Sequence, residues 1–261
     1  MKKLISVIKT YIIFIFSIIC ILMVWQIASH LLGSDILLPS VFSVLKTFVS
    51  LFGNKTFSMD VSFTIYRAFK SFVIIVISSS VLGVFGGKYK AIGLWMNPIL
   101  TVLKSTPVMS VILLAFIWFQ TGTVPVFSAF LMAFPIMYMQ METGYKSLEE
   151  EMIQMCNLYG FTKQDQVIHY IIPSLTKSFI IGSKQTLSMI WKVVIAAEVL
   201  TVPKYGVGSK MQLSQMQLET GSVLAWTLVA IMLTALGDIL FYGITKMIAS
   251  MSNSKKRSRA L

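Results

Sequence analysis

Charge is scarce along this chain, and where it is scarcest the gaps have the length of a bilayer. Six stretches, residues 11–32, 69–85, 99–119, 124–141, 179–200 and 223–242, are almost wholly apolar. A helix needs about 17–25 such residues to cross the hydrocarbon core. The chain is therefore read as an all-α integral membrane protein with six transmembrane helices. Composition supports this: of 261 residues, 56% are hydrophobic and 12% charged, against roughly 25% charged in a soluble domain. Disorder, collagen and a disulfide scaffold are excluded by the same numbers. Cys20 and Cys156 lie far apart with no secretory spacing, so neither is half of a bridge. A net charge of +12 suggests nucleic acid in a soluble protein, but here positively charged cytoplasmic loops account for it.

The first run follows Lys2 and Lys3 as a signal peptide would. It is too long for one and lacks a small-x-small cleavage site, so it is expected to stay as a span. With the N-terminus inside, thirteen Lys/Arg fall in inner segments and six, among them Arg67 and Lys70, in outer ones. That bias places both termini in the cytoplasm. Lys255, Lys256, Arg257 and Arg259 form a basic tail that fixes topology or touches anionic lipid. Outside, Ser40 is a helix N-cap candidate followed by Val41, Leu45, Phe48 and Phe52 at helical spacing. This short amphipathic helix lies on the outer leaflet or against the spans. The chain divides into an N-terminal span with this outer segment (1–68), a core (69–248) and the basic tail (249–261).

Residues 142–178 form the one sizeable inner segment. Residues 148–159 suit a helix, with Glu149, Glu150 and Glu151 where the macrodipole favours carboxylates. Gly160 follows at a left-handed cap position. Thr162 and Asp165 then open a second helix in the manner of a capping box, and Pro173 closes it or starts the turn into span five. Leu148, Met152, Met155 and Tyr159 share one face. An apolar, methionine-bearing stripe suits a groove on a partner protein or the underside of the chain's own spans.

This segment resembles the cytoplasmic loop of binding-protein-dependent ABC importer permeases. Their pattern is Glu-Ala-Ala, three residues, Gly, nine residues, an apolar residue, any residue, Leu, Pro. Gly160 and Pro173 have that separation, with Tyr170 and Ile172 at the apolar positions. The Glu-Ala-Ala positions depart, carrying Gln154, Met155 and Cys156, with Glu151 one turn away. Leu38-Pro39-Ser40, Thr64-Ile65-Tyr66-Arg67, Lys104-Ser105-Thr106-Pro107-Val108, Phe116-Ile117-Trp118-Phe119, Phe134-Pro135-Ile136 and Trp191 through Ala196-Ala197-Glu198-Val199 look like the nitrate/sulfonate/taurine branch. In this order and spacing the set is specific.

The resemblance implies a type I importer permease working with a second copy of itself in the bacterial cytoplasmic membrane. Each copy would dock one member of a cytoplasmic ABC ATPase dimer through Glu151, Gln154, Met155, Cys156, Tyr159, Gly160 and Pro173. An extracytoplasmic solute-binding protein would deliver a sulfonate-, nitrate- or taurine-like anion or a vitamin precursor. ATP and Mg would sit on the ATPase, with no cofactor on this chain. The residues agree on that point: Gly86-Gly87-Lys88-Tyr89 lacks both the glycine five residues before Lys88 and a following Ser/Thr.

Chemistry of other kinds is poorly supported. His30 and His169 lie at different membrane faces without ligand partners, and nothing gathers a catalytic triad or a nucleic-acid site. Charges within spans carry more information, because they face a bundle interior or a wet cavity. Lys184, Ser188 and Lys192 run along one face of span five, and Lys104 lies in span three. Glu198 is 600° around from Lys192 and does not share its face. Asp238 is expected to partner such a lysine. Lys104, Lys184, Ser188, Trp191, Lys192 and Glu198 are the candidate solute pathway. An ion-coupled secondary transporter with Lys192 and Glu198 as relay residues is the alternative.

Overall fold

The long apolar runs fold as helices. The computed structural model describes residues 2–258, with side chains from 12 to 247, and every regular element among them is helical. The side chains of the basic tail lie outside the described residues. Five helices are long and apolar enough to cross a bilayer: α1 (Lys2–Leu32), α3 (Phe57–Lys88), α6 (Val124–Lys146), α9 (Ile172–Thr201) and α11 (Thr220–Ser258). The shorter elements are α2 (Val41–Leu51), α4 (Lys90–Ser105), α5 (Val108–Trp118), α7 (Glu150–Leu158), α8 (Lys163–Gln166) and α10 (Val207–Met216).

The third expected span is not one straight helix. Its residues are shared between α4 and α5, which meet at 100°. Pro107 disfavours helical geometry in the residue before it, and Thr106 accordingly has φ −73° and ψ 127°. Two other boundaries move. α3 begins at Phe57, so Arg67 and Lys70, counted above as loop charges, are helical. Removing them from the outer count strengthens the inner bias. Pro173 does not close the second helix of the 142–178 segment: α8 runs through a π-turn (Val167–Ile171) straight into α9, with Pro173 in the first turn of α9.

Lipid offers little hydrophobic drive between spans, so close approach of small residues matters. α3, α6 and α9 use it. A Cβ on Gly83 would lie 2.6 Å from the Tyr138 carbonyl oxygen, and one on Gly182 would lie 2.8 Å from Met137 Sδ. Around these contacts Ala68, Ile75, Ala133, Met137, Ile190 and Val194 form the buried core. Gly86 and Gly87 belong to this packing as well, set against Tyr138 and Tyr145 rather than forming a phosphate loop.

α2 has its expected cap, Ser40 accepting from the Ser43 N–H. Part of its surface packs against a span. Val44 and Leu51 are buried where α2 meets α11, while Phe42, Leu45 and Val49 stay exposed. α1 is attached mainly by side chains at its end: Trp25 donates to the Pro39 carbonyl, and Gln26 accepts from the Val41 N–H. The side of the bundle bearing α7 and α8 is called here the loop end. By connectivity, α2, α10 and the start of α3 lie at the far end.

Candidate functional site

Three groups of residues stand out from the apolar scaffold. The first is the α7–α8 corner at the loop end. Gly160 has φ +74°, the left-handed conformation that its position after α7 requires. Thr162 and Asp165 make the full capping box, each side chain bonded to the other's backbone N–H. The corner is tied internally. Gln166 donates to Asn157 Oδ1 at 2.6 Å, and the Tyr170 hydroxyl accepts the Glu149 N–H at 3.1 Å. The second bond serves the start of α7, which has no side-chain cap of its own.

Of the residues expected to dock a partner, Glu151, Gln154, Met155, Tyr159, Gly160 and Pro173 are exposed. Cys156 instead turns inward and is buried, so it can support the corner but cannot touch a partner. The outward apolar surface is larger than the expected stripe. Leu158 is 86% exposed and Tyr159 77%, with Phe161 beside them, while Leu148 and Met152 are half-buried.

The second group is a groove in the membrane-spanning part. Lys184, Ser188 and Lys192 line one open depression of about 540 Å³ together with Ile136, Met189 and Gln185. Lys104 adjoins it: its Nζ lies 3.3 Å from Met139 Sδ, one turn from Ile136 on α6. No acidic residue lines the groove, and none of these lysines has a salt-bridge partner among the described residues. The expected pairing with Asp238 is absent, and Asp238 Oδ1 is buried without a hydrogen-bond partner.

Trp191 and Glu198, grouped with these lysines from sequence, occupy other faces of α9. Trp191 is buried with its indole against Gly237 of α11, where an added Cβ would stand 2.7 Å from Nε1. Glu198 belongs to the third group, a buried polar node at the far end. Arg67 Nη1 donates to Glu198 Oε1 at 2.5 Å and to the Tyr205 carbonyl at 2.8 Å. Thr64 Oγ1 donates to Glu198 Oε2 at 2.8 Å.

The start of α10 completes the node. Gly206 caps it without a side chain, so its first N–H groups are satisfied from neighbouring helices. Gly206 N–H donates to Asp60 Oδ1, Val207 N–H to Thr64 Oγ1 and Gly208 N–H to Glu198 Oε2. Two carboxylates at a helix N-terminus also complement its dipole. Lys210 Nζ lies 3.7 Å from Asp60 Oδ2, so two acids meet two bases. Sequence reading had both Arg67 and Glu198 but put one in a loop and the other in the pathway, and it passed over Asp60. The available signal was Asp60, Thr64 and Arg67 at spacings of four and three, which places them on one helical face. No cluster of three or more His, Cys, Asp or Glu suited to a metal occurs among the described residues.

Comparison with known proteins gives this arrangement a family. Residues 79–250 match the model of the binding-protein-dependent transport system inner membrane component. The chain is 21% identical over 189 residues to the nitrate import permease protein of Synechococcus elongatus, covering 69% of this chain and 68% of that one. It is 23% identical over 207 residues to the taurine transport system permease protein of Escherichia coli, covering 77% and 75%. It is also 24% identical over 159 residues to the glycine betaine transport system permease protein of Bacillus subtilis, covering 60% and 56%. With membrane-spanning helices and a match over most of its length, the chain belongs to the binding-protein-dependent transport system inner membrane components, the multi-pass permeases of ABC transporters, which are transport components rather than enzymes.

Proposed function

We propose that this chain is the permease of an ABC importer that carries a small anion through a pathway formed between two copies. The observation that carries this reading is the groove lined by Lys184, Ser188 and Lys192, cationic and without acids on a membrane-spanning helix, with Lys104 nearby against Met139. Lysines in hydrocarbon are costly, so such a surface faces water or protein rather than lipid. A second copy placed across the groove would enclose a wet, positively charged passage. The relative named for nitrate import fits an anion and the one named for taurine transport fits a solute with an anionic group, while the one named for glycine betaine shows that family membership alone does not fix the solute.

In this reading the loop end is cytoplasmic and the α7–α8 corner docks an ABC ATPase, one per copy. The outward apolar surface of Met155, Leu158, Tyr159 and Phe161 would fill a groove on that ATPase, and Glu151 and Gln154 would border it. Gly160 sets the angle of the corner, and the unbroken passage from α8 into α9 carries its movement to the lysines. ATP and Mg stay on the ATPase, and a binding protein meets the far end. The division into residues 1–68, 69–248 and 249–261 then separates an attached span, the transporting core and a positively charged anchor. The alternative, an ion-coupled transporter using Lys192 and Glu198 as relays, is disfavoured because Glu198 is engaged by Arg67 and Thr64 on another face of α9.

Co-expression with the cognate ATPase tests the assembly. Two permease copies are expected to co-purify with two ATPase subunits, measured by mass. Single cysteines at Leu218 and Leu158, both well exposed, test the orientation: only the first should react with a membrane-impermeant thiol reagent on whole cells. Reaction of the second alone would reverse the topology and remove the docking assignment.

A further inference from the structure

The far-end node lies on another face of α9 from the groove, about 9 Å of helical rise beyond Lys192, and holds the most elaborate set of buried charges among the described residues. We infer that Arg67 and Glu198 form a positioning device, a tie that makes the far end of α9 and the start of α10 move with α3 during transport. This inference rests on the transport reading above.

Four observations support it. The node joins α3 to the distant pair α9 and α10, with Thr64 and Arg67 bonding to Glu198 across separations of 134 and 131 residues. Asp60, Thr64 and Glu198 are completely buried and Arg67 nearly so. Close packing fixes α3 to α6 at Gly83 and α6 to α9 at Gly182, so those three helices already form one body over much of their length. The remaining weak point is the α9–α10 corner. Val202, a β-branched residue, has φ +43° there, a strained conformation that surrounding contacts must hold.

Apolar contacts hold part of that corner: Val207 is fully buried in the core and Met211 packs against it. Farther along α10, Leu213 and Met216 are exposed. Its start is held by Asp60, Thr64 and Glu198 through three successive N–H groups. Arg67 reaches the same corner through the Tyr205 carbonyl. Hydrogen bonds of this kind are directional, so they fix orientation as well as position. α9 carries the groove lysines at its middle and the docking corner at its start. If its far end slipped, movement at the corner would no longer be delivered to the groove.

A test must separate this role from simple stability. Removing Arg67 alone leaves a buried carboxylate without its cation, which destabilises for reasons unrelated to positioning. The informative variant is Arg67→Met with Glu198→Gln, neutral at both sites and still able to accept from Gly208 and Thr64. It should be purified with the ATPase and binding protein and assayed in proteoliposomes with the solute that the binding protein retains. Expected are a wild-type yield, ATP hydrolysis within twofold of wild type and uptake reduced at least tenfold.

A restored tie should restore uptake. Phe63 of α3 stacks on Tyr205 at 5.4 Å between ring centroids, at the edge of the charged node, with the Arg67 guanidinium over the Phe63 ring. Phe63→Cys with Tyr205→Cys, joined by a short bis-thiol reagent in a chain with Cys20 and Cys156 replaced by alanine, reconnects α3 to the corner. In the neutral variant this link should recover at least half of wild-type uptake. In the otherwise unchanged chain it should leave uptake intact. Uptake within twofold of wild type in the unlinked neutral variant would overturn the inference, leaving the node a structural pair. Loss of uptake on linking the otherwise unchanged chain would overturn it too, because the corner would then have to open. That second measurement decides even where the neutral variant fails to fold. Absence of ATP-driven uptake by the wild type would overturn the transport reading and the tie with it.

Discussion

Replacing Lys192 by methionine separates a cation in a solute pathway from one that holds the protein together. Lys184 and Lys192 are eight residues apart on one face of α9, which is about 12 Å of helical rise, with Ser188 midway. An anion beside Ser188 lies about 6 Å along the axis from each lysine by the same rise. At that distance one unit charge attracts another by about 2.8 kcal/mol at an effective dielectric of 20 and by about 0.7 kcal/mol in water. The structure supplies no acid to lose a partner in this variant: no described acidic residue bridges Lys192. Lys192→Met should therefore leave melting temperature and yield unchanged. It should weaken the transport affinity for an anion by about 3-fold if the groove is fully hydrated, rising to about 100-fold if it is largely dry. A neutral solute of similar size should be carried as before. The assay is uptake into proteoliposomes at a series of solute concentrations, with thermal unfolding of the same preparation. An equal loss for neutral and anionic solutes, or a drop in melting temperature, would refute the reasoning.

Other parts of the account are tested by substitutions of different character. Gly83→Ala puts a Cβ 2.6 Å from a backbone oxygen of α6 and should cost about 1–3 kcal/mol in stability by overpacking. Gly243→Ala meets no neighbour within 4 Å and should stabilise α11 by up to about 1 kcal/mol, on propensity alone, so the two should move the melting temperature oppositely. Arg67→Met alone should lose about 3–5 kcal/mol, by leaving Glu198 uncompensated, with most of the loss recovered when Glu198→Gln is added. Gly160→Val forces a β-branched residue to φ +74° and Met155→Asp charges the outward surface. Both should reduce co-purification with the ATPase at least tenfold while the protein still inserts in the membrane.

The helical scaffold was legible because its cause is local: long uncharged runs in lipid must bond their own backbones. The corner at Gly160 was legible for a related reason, since its glycine, capping box and acidic first turn lie within one short segment. What sequence reading misplaced depends on contacts between distant elements. The break in the third span follows from Pro107, visible in sequence, but its 100° angle is set by packing. Trp191 and Glu198 share α9 with the lysines, and only neighbouring helices decide which face of α9 meets the groove. Arg67 resembled a loop charge because a cation at a span edge ordinarily snorkels to water. Its burial makes sense only beside a carboxylate 131 residues away.

The central claim is that this chain passes a solute across the membrane under the drive of another chain's ATP hydrolysis. The most direct test reconstitutes the permease with its ATPase in sealed vesicles, with the solute-loaded binding protein on the side of the far end. Solute should accumulate across the bilayer only when ATP and Mg are present on the loop side and the binding protein on the other. Accumulation driven by an ion gradient without ATP, or uptake unaffected by omitting the ATPase, would contradict the account.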